Sequence, residues 1–202
     1  MGTVAIVDYG VGNLKSVANA LSYLGCSSCI TADPAELERA DAIILPGVGA
    51  FPDAADRLRS GGLDQHVLAQ GQKKPVLGIC LGMQLLLEQG REVRPCPGLG
   101  VIRGTVDRIP TQSKLPHIGW NSLRFFHHSP LFRGLDEGEY VYFVHSFSAQ
   151  DTDPAQVIAV TDYGPAVTAA VSSGNFYGTQ FHPEKSGEVG LTILRNFAGL
   201  NC

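Results

Sequence analysis

In the first half of the chain, apolar residues fall in short unbroken runs. Between the runs they recur every three or four positions. Val4-Ala5-Ile6-Val7, Ala42-Ile43-Ile44-Leu45 and Pro75-Val76-Leu77-Gly78-Ile79 are such runs, and Ser28 to Thr31 is a weaker one. Each predicts a strand. Leu14, Val17, Ala18, Leu21 and Leu24 recur at helical spacing and stop at Gly25. Further helices are predicted over Glu36-Leu37-Glu38-Arg39 after the Asp33-Pro34 break, Pro52 to Arg59, Leu63 to Gln70, and Leu81 to Glu88. Strands that are apolar throughout and separated by helices predict a parallel sheet covered on both faces. In the second half the candidate strands crowd together: Gly104 to Ile109, Ser122 to Phe126, Tyr140 to Val144, Val157 to Thr161, Ala166 to Ser172 and Asn175 to Phe181. Several alternate apolar with polar residues, the pattern of half-buried antiparallel strands. A helix from Val189 to Phe197 closes the chain. The expected fold is α/β, with a mainly parallel central sheet flanked by helices and antiparallel strands in the second half. Arg91 to Gly98 is rich in Pro and Gly but too short to separate two domains, so residues 1–202 are expected to form one domain.

Composition narrows the class further. Of 202 residues 44% are hydrophobic, enough for a core, and the 24 Gly and 12 Pro follow no collagen-like period. Net charge is −4 and no basic cluster occurs, so no nucleic-acid partner is expected. The longest apolar stretch, Val76 to Met83, is far short of a membrane span, and no membrane association is expected. Asp8 interrupts the first apolar run and no basic segment precedes it, which argues against a signal peptide. Five Cys in a chain of this size point to a reducing compartment, and the cytoplasm is the expected location.

Some patterns that suggest chemistry fail on inspection. Gly10-Val11-Gly12 follows a strand, but Lys15 stands where a dinucleotide fingerprint needs its third Gly. Cys26-Ser27-Ser28-Cys29 leads into a strand rather than a helix, against a redox role. No His, Cys, Asp or Glu cluster has metal-ligand spacing, so neither metal nor cofactor is expected. Cys96 and Cys202 show no feature that demands a role. His66 fits a surface helix, and His127-His128 an exposed turn.

Gly78-Ile79-Cys80-Leu81-Gly82 is the sharpest local signal. A nucleophile between two Gly, where an apolar strand turns at once into a helix, is the pattern of a nucleophile elbow. Small residues two positions either side relieve the tight turn. The unpaired N–H groups of the first helical turn favour an anion at the thiol, and the Leu81 N–H is placed to donate to an oxyanion. Gln84, one turn later, is a costly residue in an otherwise apolar helix. A buried core Cys is the plain alternative. Gln180-Phe181-His182-Pro183-Glu184 supplies a partner. Pro183 biases His182 to extended geometry, so that His182 and Glu184 can project on one side as general base and orienting carboxylate. Cys80 and His182 both leave the C-terminal ends of predicted strands, the edge where open α/β sheets bind ligands.

Gly78-Ile79-Cys80-Leu81-Gly82-Met83-Gln84 together with His182-Pro183-Glu184 resembles the class I (triad) glutamine amidotransferases. Five further blocks resemble the glutaminase subunits of imidazole glycerol phosphate synthases within that family. They are Asp8-Tyr9-Gly10-Val11-Gly12-Asn13, Pro46-Gly47-Val48-Gly49-Ala50-Phe51, Pro116-His117-Ile118-Gly119-Trp120-Asn121, Tyr142-Phe143-Val144-His145-Ser146 and His182-Pro183-Glu184-Lys185-Ser186. The blocks follow family order from residue 8 to 186. The resemblance implies hydrolysis of L-glutamine to glutamate and ammonia through a Cys80 thioester, with His182 as base and acid and Glu184 as its orienter. It implies oxyanion donors from Leu81 and from Gly47-Val48-Gly49, and a substrate pocket formed by Gln84, His145, Ser146 and Phe147. Many members have Tyr where Phe147 stands, so any hydrogen bond from that hydroxyl is missing here. It implies a heterodimer with a (β/α)₈-barrel cyclase that receives the ammonia, with Asn13, Trp120, Asn121 and Lys185 at or near the interface. The two Gly around Val48 suggest a loop that turns an N–H into the oxyanion hole only when the partner is loaded. The chain length accommodates a glutaminase, so the ammonia acceptor is expected on another chain. Two alternatives are a stand-alone glutaminase of pyridoxal phosphate synthesis, disfavoured by Trp120-Asn121 and Lys185-Ser186, and a catalytically silent subunit, disfavoured by the intact triad. In an α/β-hydrolase the acid usually precedes the His, whereas Glu184 follows His182.

Overall fold

The computed structural model describes residues 2–200, so Cys202 lies outside the described residues. An eight-stranded sheet forms its centre. The parallel part contains β1 (Val4–Val7), β2 (Ser28–Thr31), β3 (Ala42–Gly47) and β4 (Val76–Cys80). Three small-sheet strands follow in the chain: β5 (Leu87–Gly90), β6 (Cys96–Pro97) and β7 (Ile102–Arg108). Next come β8 (His117–Ser122), β9 (Arg124–Phe125), β10 (Tyr140–His145), β11 (Phe147–Gln150), β12 (Val157–Asp162), β13 (Ala166–Ser173) and β14 (Phe176–Thr179). The central order is β2-β1-β3-β4-β14-β13-β12-β9. β14 is parallel to β4, and the last three strands run antiparallel. Two smaller sheets stand apart from it, β10-β8 and β11-β7-β5-β6.

The runs read as strands are apolar on both sides because both faces of the sheet are covered. Val4 and Ile6 of β1 join one core with Val17 and Leu21 of α1 (Leu14–Tyr23) and Ile193, Leu194 and Phe197 of α6 (Gly187–Ala198). Ala5 and Val7 point the other way. They meet Leu37 of α2 (Pro34–Arg39), Leu58 of α3 (Phe51–Ser60) and Val67 of α4 (Leu63–Gly71). The α2 start is capped as its sequence suggests, with the Asp33 side chain accepting from the Ala35 N–H at 2.9 Å. Among the described residues, no helix is long and apolar enough to cross a membrane.

The structure differs from the expected elements at several points. The helix expected over Leu81 to Glu88 ends early: α5 is Leu81–Leu85, and Leu87–Gly90 is a strand. The Leu85 carbonyl accepts from the Leu99 N–H at 2.7 Å, and that of Leu86 from Val101 and Ile102, both at 3.0 Å. These bonds take carbonyls that a continuing helix would use. The strand expected over Ser122 to Phe126 is two strands in two sheets. β8 ends at Ser122, and β9 pairs with β12 on the edge of the central sheet. β8 begins earlier than expected, at His117, because Pro116 and a mid-strand Gly119 at φ 140° obscure its alternation. Phe147–Gln150 was not expected as a strand; it follows β10 after Ser146 and pairs with β7 instead of β8.

Candidate active site

Cys80 is the last residue of β4 and the residue before α5. Its backbone sits at φ 54°, ψ −110°, a region that a side chain disfavours and that costs about 1–3 kcal/mol. The two flanking Gly make that turn possible. A Cβ on Gly82 would overlap the Leu45 carbonyl oxygen of β3, and one on Gly78 would come within 2.5 Å of the Gly82 carbonyl oxygen. The helix backbone therefore lies directly on the neighbouring strand. In the β3–β4 register Gly47 is opposite Cys80, so the Val48-Gly49 loop leaves the sheet beside the sulfur. Because α5 has only five residues, its end offers mainly the free N–H groups of its first turn, Leu81 first, rather than a strong macrodipole.

His182 follows β14 on the strand next to β4. Its Nδ1 lies 2.8 Å from Glu184 Oε1, and both side chains are nearly sealed from solvent, at 3% and 1% exposure. Strand alternation is not what aligns them. Pro183–Lys185 is a turn of 3₁₀ helix, and the carboxylate reaches back across it. That turn is pinned by Ser186, whose hydroxyl donates to the His182 carbonyl at 2.6 Å and accepts from the Tyr142 N–H at 3.0 Å. Burial disfavours a charged imidazole, but hydrogen bonds and charge from Cys80 and Glu184 outweigh it and raise His182 to about 9. Gln180, not singled out in the sequence, directs Nε2 at the Cys80 sulfur, 3.7 Å away.

A cavity of about 360 Å³ opens over Cys80 and His182. Of the oxyanion and pocket candidates, Val48, Gly49, Leu81, Gln84, His145, Ser146 and Phe147 line it, as does Lys185. Gly47 and Glu184 adjoin lining residues without lining it themselves. Gln84 explains its own cost in the helix. Its Nε2 donates to the Phe147 carbonyl and to Gln180 Oε1, each at 3.0 Å. His145 is buried, and burial, with the charges of His117 and His182, pushes it down to about 4 against the pull of the Phe147 carbonyl. Glu92 also lines the cavity and was missed. It lies in an irregular loop beside Val93, strained at φ 61°, and accepts from the Phe51 N–H at 2.8 Å. Nothing local in the sequence marks it.

The interface candidates separate in space. Trp120 is 53% exposed on β8, on the same side as the exposed Ile118, and Tyr140 of β10 is exposed as well. Asn121, one residue on, turns inward and bonds His117 and the Asp162 carbonyl. Asn13 precedes α1 at the C-terminal side of β1.

Residues 5–199 match the family model of class-I glutamine amidotransferase. The chain is 48% identical to an imidazole glycerol phosphate synthase subunit HisH of Bacillus cereus, covering 98% of this chain and 94% of that one. It is 46% identical to the subunit of the same name from Bacillus thuringiensis, at the same coverage. A solved structure described as a putative GMP synthase subunit of Thermoplasma acidophilum superposes with a TM-score of 0.77 at 23% identity, covering 100% of this chain and 94% of that chain. PurLQS of Thermotoga maritima superposes at 0.74 with 20% identity, covering 98% of each. These two likenesses are of fold. Together with the strained Cys80 and its His182–Glu184 neighbours, the matches show that the chain belongs to the class I glutamine amidotransferases, among the HisH subunits of imidazole glycerol phosphate synthase.

Proposed function

We propose that this chain hydrolyses L-glutamine to glutamate and ammonia and delivers the ammonia to a (β/α)₈-barrel cyclase subunit of an imidazole glycerol phosphate synthase, in histidine biosynthesis. The observation that carries the reading is the placement of Cys80 in a strained elbow beside a buried, glutamate-paired His182. In the first step the Cys80 thiolate attacks the amide carbon. The carbonyl electrons move to oxygen, where the Leu81 N–H and an N–H of the Gly47–Gly49 turn would receive them. Losing one such donor typically costs about 10²–10³ in rate. The C–N bond breaks as His182 gives its proton to the leaving ammonia. Water then attacks the thioester, His182 takes a proton from it, and glutamate and thiol are released. A histidine raised to about 9 is charged at neutral pH and so ready for the first proton transfer.

The cavity suits a zwitterionic amino acid. It carries an acid, Glu92, for an ammonium group, and polar groups of Gln84 and Ser146 elsewhere in the wall. The exposed apolar residues Ile118, Trp120 and Tyr140 support the partner reading, since a large apolar patch in water is normally covered by a protein. Trp120, Asn13, Asn121 and Lys185 are proposed at or near that contact. The test is co-purification with the barrel cyclase, then a glutamate-release assay with and without the cyclase's nucleotide ligand. Activity raised by partner and ligand, and abolished in Cys80→Ala, is expected. Glutamine-dependent synthesis surviving in Cys80→Ala would overturn the assignment.

A further inference from the structure

Beyond Cys80, His182 and Glu184, two more buried histidines form a hydrogen-bonded line. His117 on β8 and His145 on β10 face each other, Nδ1 to Nε2, at 3.1 Å. The outer nitrogen of each ring meets an oxygen. His145 Nδ1 is 2.8 Å from the Phe147 carbonyl, and His117 Nε2 is 3.0 Å from Asn121 Oδ1. The Asn121 amide cannot turn over without loss, because its nitrogen donates to the Asp162 carbonyl at 2.9 Å. Both ends of the line are therefore acceptors. Each outer nitrogen must carry a hydrogen, and the contact between the rings needs one more. Three hydrogens on two imidazoles leave a charge of +1. A neutral pair has only two. It would either press two lone pairs together or surrender an outer bond in a buried site.

The surroundings decide which ring holds the charge. His117 is sandwiched between the faces of Phe143, 4.8 Å away at 16°, and Tyr163, 3.9 Å away at 18°. Aromatic faces stabilise a cation. His145 is only tilted against its ring neighbours, at 51° and 38°. Burial opposes charge on either ring and lowers both, His145 to about 4, while the hydrogen bond to Asn121 works against that lowering at His117. The titratable groups facing the pair are His182, whose charge opposes it, and Tyr163, whose hydroxyl is turned away to the Lys114 carbonyl at 2.6 Å. A charge on His117 is thus met by two acceptors and two ring faces, while His145 keeps one bare nitrogen to accept from it.

We propose that His117 is a buried imidazolium that fixes His145 as its Nδ1–H tautomer, so that His145 holds the Phe147 carbonyl, and with it Gln84, in the cavity wall. From Gln84 the line continues through Gln180 to the Cys80 sulfur. His117 is then a positioning residue, connecting the β8 strand that carries Trp120 to the wall of the cavity. The consequence for substrate rests on the glutaminase reading; the proton count does not.

The test is ¹⁵N NMR of the full chain labelled at histidine, at pH 7, with the two rings assigned through the contacts of their ring protons, His117 with Tyr163 and Phe143 and His145 with Phe143. Three protonated nitrogens among the four of His117 and His145, two of them on His117, are expected. A bare ring nitrogen on His117 would overturn the proposal, and this readout needs no variant to fold. In the complex with the cyclase, His117→Phe is expected to raise KM for glutamine about fivefold or more with kcat within about twofold, the signature of lost ground-state binding. An unchanged KM would remove the positioning role. Three protonated nitrogens in a chain that releases no glutamate would instead count against the proposed function alone.

Discussion

At Cys80 the backbone carries strain that the surrounding sheet imposes, and the side chain is thereby held toward the cavity and His182. The partner of that histidine controls its charge. Free histidine titrates near 6.5, and His182 is raised to about 9. Between those values the native state keeps a proton that the unfolded chain has released. The stabilisation is therefore complete below about pH 6.5 and is lost as pH rises toward 9. Urea denaturation at pH 6, 7.5 and 9 is expected to show stability falling across this window. In Glu184→Gln the fall should be shallower, and glutaminase activity should drop by up to about 10⁴, as when a triad carboxylate is neutralised without moving its neighbours. An identical pH slope in the variant would contradict the Glu184 contribution. His182 and Cys80 were legible in the sequence because each lies in a local pattern of strand end, Gly or Pro. Gln180 and Glu92 were not, because their meaning lies in what they approach across 100 and 41 positions of chain.

Between elements, the junction of β4 and α5 depends on contact between backbones, so Gly there is required for space rather than for φ. Gly82→Ala drives a methyl into the β3 backbone and is expected to cost about 3 kcal/mol or more, at the upper end of overpacking penalties. Gly25 after α1 has the opposite problem. It sits at φ 72° with no atom within 4 Å of a Cβ, so Gly25→Ala should cost only about 1–2 kcal/mol of backbone strain. Urea midpoints of the two variants check this order, and equal losses would refute it. The end of α5 shows why the segment after Cys80 was misread. Leu85, Leu86 and Leu87 are all buried, so the apolar pattern is the same for a helix and for a strand. Hydrogen bonds from Leu99, Val101 and Ile102, distant in pairing though near in sequence, settle the matter.

Across the whole molecule, β1, β3, β4 and β14 bring their C-terminal ends to one edge of the central sheet, and Asn13, Val48, Cys80 and His182 follow from those ends. Parallel pairing makes this convergence automatic. The β8–β10 pair stands apart from the central sheet and presents Ile118, Trp120 and Tyr140 to solvent, while Val144, paired opposite Ile118, and the next residue, His145, line the cavity. One two-stranded element thus serves both the proposed partner face and the site. Trp120→Ala is expected to weaken association with the cyclase by about 2 kcal/mol, roughly 30-fold in Kd, as for a buried aromatic anchor. The glutaminase rate at saturating partner should change little. Isothermal titration with the purified cyclase measures it, and an unchanged Kd would move the interface elsewhere.

The sequence by itself determined the class of the fold, the parallel half of the sheet, the nucleophile turn and the His-Pro-Glu segment. Each of these is written in neighbouring residues, through side-chain periodicity, Gly spacing and the backbone bias of Pro. The tertiary structure alone decided the sheet that each second-half strand joins, the end of α5, the turn that carries Glu184 back to His182, and the buried His117–His145 line. These depend on which distant backbone groups and ring nitrogens are brought within hydrogen-bond reach, and a bond that closes only on packing leaves no periodic trace along the chain.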